Sequence, residues 1–251
     1  MSQPLPFGQT RTRVDVDHAV IGTDSHVRSP LAGWEGTEGT VLISPAMGAW
    51  PRSPRFLQYL AQVSEKSRSR GAPPGVQRLV YVLSGSLRVD DQLLEPDGFA
   101  WLPPDEPHAL QGKSPGTVLV FEKPYAPLPE APPPRRLIGH LASAPVAPFL
   151  GDEAARLATL LPVTPHFDMA VNVFTFDPGA TLPLVESHVM EHGLYMRSGQ
   201  GIYRLAQAWY PVQAGDSIWM AAYCPQWFVA MGKQAASYIY YKDIHRDPLR
   251  L

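Results

Sequence analysis

The sequence predicts an all-β protein made of two tandem antiparallel barrels or jelly rolls, and three observations point to it. Proline is abundant, with 28 prolines and 20 glycines in 251 residues. Proline lacks an N–H and breaks helix interiors, while it is tolerated at turns and strand edges. Short apolar runs bounded by Gly, Pro, Asp or Ser recur along the whole chain, as strands joined by turns do. The chain also repeats itself. Tyr81-Val-Leu-Ser-Gly-Ser-Leu-Arg88 returns as Tyr195-Met-Arg-Ser-Gly-Gln-Gly-Ile202. The Gly98–Pro103 segment returns as Gly215–Met220, with Trp101 matching Trp219, and Val118–Lys123 returns as Ser237–Lys242. Three matches in the same order at nearly constant spacing indicate an internal duplication.

Taken in order, the first half supplies strands at Leu79–Leu83, Ser86–Val89, Phe99–Leu102 and Val118–Phe121. Phe56–Ser67 fits either a strand or a helix period. Lys123–Arg136 then carries six prolines in fourteen residues. Such a run is extended and stiff, with no core of its own. It reads as a linker at residues 124–137, between domains at 1–123 and 138–251. Asp152–Leu161 is the best candidate for a short helix. The second half supplies strands at Val171–Phe176, Gly193–Met196, Ile202–Leu205, Ser217–Met220 and Ser237–Tyr241.

Composition excludes several classes of function. The chain is 45% hydrophobic, enough for a real core. Lys plus Arg number 21 against 23 for Asp plus Glu, a net charge of −2 without the basic surface that nucleic-acid backbones require. No run approaches the roughly 18 apolar residues of a membrane span. Met1–Val14 is polar and carries no apolar signal core. Cys224 is the only cysteine, which removes intrachain disulfides and thiolate zinc clusters. A cytoplasmic protein with no membrane or nucleic-acid partner is the expectation.

The segment Leu182–Gly201 carries the chemistry. It places Glu186, His188 and His192 within seven residues of a chain that has eight histidines. On a strand, Glu186 and His188 share one face, and a turn is needed to bring His192 back to them. Two imidazoles and a carboxylate suit Mn, Fe, Ni or Zn.

The Gly-turn strands, the ligand-rich segment, Ser198-Gly-Gln-Gly201 and then Pro211-Val-Gln-Ala-Gly-Asp216 resemble the cupin superfamily, and the duplication makes the chain a bicupin. Val185-Glu-Ser-His-Val-Met-Glu-His-Gly193, Ala222-Tyr-Cys-Pro-Gln226 and Tyr238-Ile-Tyr-Tyr-Lys-Asp243 are similar to the (S)-ureidoglycine aminohydrolase family of allantoin degradation. The resemblance covers essentially the whole chain and is tightest in the second half. It implies one Mn²⁺ per chain, held by Glu186, His188, His192 and Gln226. It further implies substrate contacts from Glu186, Gln226, Tyr238 and Lys242, with Glu186 and Lys242 as catalytic groups. The implied reaction is hydrolytic release of ammonia from (S)-ureidoglycine to give (S)-ureidoglycolate, by a homo-oligomer. In the first half, Ala72, Pro74 and Arg78 stand where Glu186, His188 and His192 stand in the second, and only Gln226 has a ligand-type counterpart, His108. That barrel is therefore expected to be metal-free, with His108 a satisfied polar residue.

Other readings share these residues. His188-Val-Met-Glu-His192 fits the inverted zinc-peptidase motif, which works on a helix, but Pro183 and Gly193 bracket it. An Fe(II) dioxygenase could use the same two histidines and carboxylate, and a non-enzymatic small-molecule-binding cupin remains a third reading. Cys224 reads as a buried structural thiol.

Overall fold

The computed structural model describes residues 9–47, 53–129 and 131–247. Apart from two 3₁₀ turns, Thr23–Ser25 and Leu141–Ser143, its regular elements are antiparallel strands. One large sheet is built around Leu57–Val63, Val76–Val89, Gly98–Leu102 and Ala109–Pro124. The other is built around Asp152–Thr159, Met169–Phe176, His192–Ser198, Ser217–Met220 and Ala236–Asp243. A three-stranded sheet of Gln200–Leu205, Ala208–Gln213 and Gln226–Met231 belongs to the second half. All the strands expected from the repeat are present. Leu79–Leu83 and Ser86–Val89 run together as one long strand, with Gly85 at φ 72° where the ladder shifts register.

The duplication extends to the order of the strands, and it exposes an exchange. His18–Ile21, from the start of the chain, pairs with Ser217–Met220 in the second-half sheet. Leu137–His140, from just after the proline-rich stretch, pairs with Gly98–Leu102 in the first-half sheet. The sheets thus cross the boundary expected at 124–137: Arg13–Val14 and His18–Ile21 join the second-half sheet, and Leu137–His140 joins the first.

Three apolar cores follow from this arrangement. One fills the first half, around Tyr59, Val80, Val82 and Val120. One fills the second, around Phe174, Phe176, Phe228 and Tyr238. The third lies between the halves and contains Phe56, Trp101, Phe121, Trp219, Ile239 and Tyr241. Strands bounded by two cores are buried on both faces, as Leu57–Val63 is along most of its length. Such a strand shows no alternation, which is why Phe56–Ser67 fits either period.

The helix expected over Asp152–Leu161 is a strand, Asp152–Thr159, paired on one side with Val146–Phe149 and on the other with Met169–Phe176. Its Ala, Glu, Arg and Leu residues favour helix locally, and two adjacent strand edges needing partners override that preference.

Close packing between the halves reaches the candidate site. A Cβ on Gly193, next to His192, would lie 2.3 Å from two ring carbons of Phe56 and 2.7 Å from Gln58 Oε1. Gln58 Nε2 in turn donates to the Leu194 carbonyl (3.2 Å) and to Ser217 Oγ (2.8 Å). Gly193→Ala is expected to destabilise the protein by about 1–3 kcal/mol through overpacking. An unchanged thermal midpoint would contradict this packing.

Candidate metal centre

Two short segments form the site by pairing with each other. Glu186 and Gln226 make a reciprocal antiparallel bridge, each backbone N–H donating to the other's carbonyl at 2.9 Å. Tyr223 N donates to the His188 carbonyl at 2.7 Å. This clip aligns the ligand-rich loop with the start of the Gln226–Met231 strand. His192 opens the strand His192–Ser198, directly opposite Lys242 on one side and Met220 on the other. On Ala236–Asp243, alternation sends Tyr238 and Tyr240 into the second-half core, while Ile239 and Tyr241 face the core between the halves. The turn needed to return His192 to His188 is therefore present.

Three of the four expected ligands converge. His188 Nε2 lies 3.0 Å from His192 Nε2 and 3.0 Å from the side-chain amide of Gln226. His188 Nδ1 donates to the Met190 carbonyl at 3.1 Å, leaving a lone pair on Nε2 facing the cavity. Burial holds the imidazole of His188 below its ordinary pKa and that of His192 well below, with Lys242 adding to both shifts. Both shifts favour the neutral ring that a metal ligand requires. Tyr203 donates to Gln226 Oε1 at 3.2 Å. Glu186 lines the same cavity, but its carboxylate does not come within 4.8 Å of both imidazoles. Burial raises the Glu186 pKa and lowers that of Lys242, and the attraction between the two charges opposes both shifts. Lys242 and Tyr238 line the cavity, which measures about 160 Å³. Its apolar wall comes from Phe149, Leu157 and Phe174. Two imidazoles, an amide and a nearby carboxylate around one small buried space fit a divalent ion of the Mn, Fe or Zn group.

Some contributors were not anticipated. Tyr240 packs edge-on against His192, with ring centroids 5.3 Å apart, and accepts a hydrogen bond from Asn172 at 3.1 Å. Its even spacing with Tyr238 and Lys242 was the available signal. Arg55 comes from the first half. Its backbone N–H donates to both carboxylate oxygens of Glu191 (3.3 and 3.2 Å), and its guanidinium pairs with Glu191 and Asp243. Glu191 N also donates to Asp243 Oδ1 at 2.6 Å. Burial raises the Glu191 carboxyl to about 7. Glu191 is therefore occupied in tying the ligand loop to Arg55, and His192 lies on a strand, so the zinc-peptidase geometry is absent.

Among the described residues, the group of three His, Cys, Asp or Glu residues with mutually close ligand atoms is Asp17, His18 and Cys224. His18 already bonds Asp17 through Nδ1 and the Tyr210 hydroxyl through Nε2, both at 2.7 Å. This is a hydrogen-bonded network, and Cys224 is buried as expected. His108 departs in part from expectation. Its Nδ1 donates to the Glu106 carbonyl at 3.0 Å, but its buried Nε2 has no hydrogen-bond partner among the described residues.

Two duplicated jelly-roll sheets with an imidazole pair inside one of them define a cupin, and residues 172–241 match the family described as Cupin domain. The (S)-ureidoglycine aminohydrolase of Arabidopsis thaliana is 40% identical over 98% of this chain and 82% of its own length. That of Escherichia coli (strain K12) is 30% identical over 91% of this chain and 89% of its own. The crystal structure of protein Ylba from E. coli superposes with a TM-score of 0.81 at 28% identity, covering 95% of this chain and 96% of that one. The chain belongs to the (S)-ureidoglycine aminohydrolase family.

Proposed function

We propose that this protein is a metal-dependent (S)-ureidoglycine aminohydrolase, with His188, His192 and Gln226 holding one Mn²⁺ per chain and Glu186, from the wall of the same cavity, turning in to complete the set. The observation that carries this reading is the convergence of both imidazoles and the Gln226 amide in a cavity that also contains Lys242. The reaction replaces an amine by a hydroxyl on one carbon: the C–N bond breaks, a C–O bond to water forms, and ammonia leaves. A divalent ion bound here would supply Lewis acidity and fix which face of that carbon is exposed.

The side chains divide the remaining work. Lys242 neutralises the substrate carboxylate by a charge-assisted hydrogen bond. Tyr238 orients the ureido group. Glu186, a carboxylate with a pKa raised by burial, faces the substrate amine and accepts its hydrogen bond. Tyr203 holds the Gln226 amide, and the apolar wall keeps bulk water out. A cytoplasmic, homo-oligomeric enzyme in purine catabolism completes the proposal.

The test is ammonia release from ureidoglycine generated in situ from allantoate, on protein whose metal has been identified. Manganese with ammonia release supports the reading. Iron with oxygen uptake replaces it with a cupin dioxygenase. Lys242→Met is expected to retain the metal while losing a charge-assisted bond of about 1.5–3 kcal/mol, so that kcat/KM falls by roughly ten- to a hundredfold. Unchanged kinetics would remove Lys242 from the site.

A further inference from the structure

We propose that the first-half barrel holds a second ligand site, for a small monocarboxylate, at the position where the second half has its metal centre. The two positions correspond strand by strand. Arg78 lies opposite Glu122 and Leu102, as His192 lies opposite Lys242 and Met220. Gly71 N donates to the His108 carbonyl at 3.0 Å, as Glu186 N donates to that of Gln226 at 2.9 Å. The space between these elements is a cavity of about 440 Å³, against about 160 Å³ in the second half. That volume lies within the range of small-ligand sites, roughly 300–1,000 Å³.

The chemistry of this cavity is anion-binding. The matching Gly71–His108 and Glu186–Gln226 hydrogen bonds set Gly71 and Pro73, one residue earlier than the Ala72 and Pro74 expected from the sequence repeat, where the twin barrel has Glu186 and His188, so metal ligands are missing. Arg78 is only 2% exposed. Its Nε donates to Glu122 Oε1 at 2.7 Å and its Nη1 to Ser69 Oγ at 3.2 Å, while Nη2 makes no hydrogen bond among the described residues. The same Glu122 oxygen also accepts from the Tyr59 hydroxyl at 2.9 Å. Arg70 lines the cavity from its exposed side, and its side chain forms no ion pair or hydrogen bond among the described residues. Two guanidinium groups against one carboxylate leave a surplus positive charge with free N–H donors. Arginine forks match a carboxylate in shape as well as charge. Leu31, Val41 and Leu57 form an apolar wall suited to a short carbon chain. A dianion would meet the Glu122 charge at close range, so a single carboxylate is the better match.

This inference does not depend on the metal or on the reaction of the other barrel. Butyrate is the probe and butyramide its neutral counterpart, titrated into the metal-loaded protein and followed by ligand-observed NMR and calorimetry. Butyrate should bind once per chain, with butyramide at least about tenfold weaker for want of the charged hydrogen bonds. Arg70→Ala, at an exposed position that leaves the cores intact, should weaken butyrate by about tenfold. Val41→Trp, at the rim, should block the cavity. His188→Ala should leave butyrate binding unchanged. Equal binding of butyrate and butyramide, no binding at all, or loss in His188→Ala with none in Arg70→Ala would each overturn the proposal.

Discussion

His188→Ala is expected to release the metal and stop turnover together while leaving the fold in place. The side chain lies at the cavity wall, and its one structural bond is to the Met190 carbonyl within its own loop. Little packing is therefore lost with it. The change is large because Nε2 of His188 is the point on which His192 and Gln226 both converge. Losing a metal ion forfeits several kcal/mol of transition-state stabilisation, and each 1.4 kcal/mol is a factor of ten, so activity should fall by roughly a thousandfold or more. Elemental analysis should find the variant metal-poor, with a thermal midpoint near that of the metal-free parent. A variant with full metal content and full turnover would refute the site.

Lys123→Met should produce the largest loss of stability. Asp168 is completely buried between the halves and accepts from Lys123 Nζ (2.5 Å), Gln77 Nε2 (2.5 Å) and Ala126 N (2.8 Å). Lys123 is the one full charge in that set. Removing it leaves a buried carboxylate without a counter-ion, a change that costs about 3–5 kcal/mol. The denaturant midpoint should drop with little change in slope, since the surface exposed on unfolding is the same. Adding Asp168→Asn should recover part of the loss, because the amide is neutral and its one oxygen still accepts from Gln77 or from Ala126, which bond opposite carboxylate oxygens of Asp168. A double variant no more stable than Lys123→Met would show that the buried charge was not the cause.

Much of this molecule was legible in its amino-acid order. The strands carrying Tyr81, Trp101, Tyr195 and Trp219 were visible because turn residues punctuate them and because each has a copy in the other half. His188 and His192, proposed here as metal ligands, stood out by their spacing. Gln226, Tyr238 and Lys242 were found through family resemblance, since a lone amide or lysine carries no local signal. The misread segment, Asp152–Thr159, failed for a physical reason: its residues favour helix, while the strands beside it demanded a partner.

Residue order thus specified two β halves, their common ancestry and a ligand-rich loop in the second, since turn chemistry and side-chain spacing act between near neighbours. Folding in three dimensions settled the exchange of His18–Ile21 and Leu137–His140 between sheets and the tie from Arg55 to Glu191. It also gave the first half a cavity where the second has its imidazoles. These contacts join residues far apart along the chain, and they depend on strand register and shared burial, which no local pattern of side chains encodes.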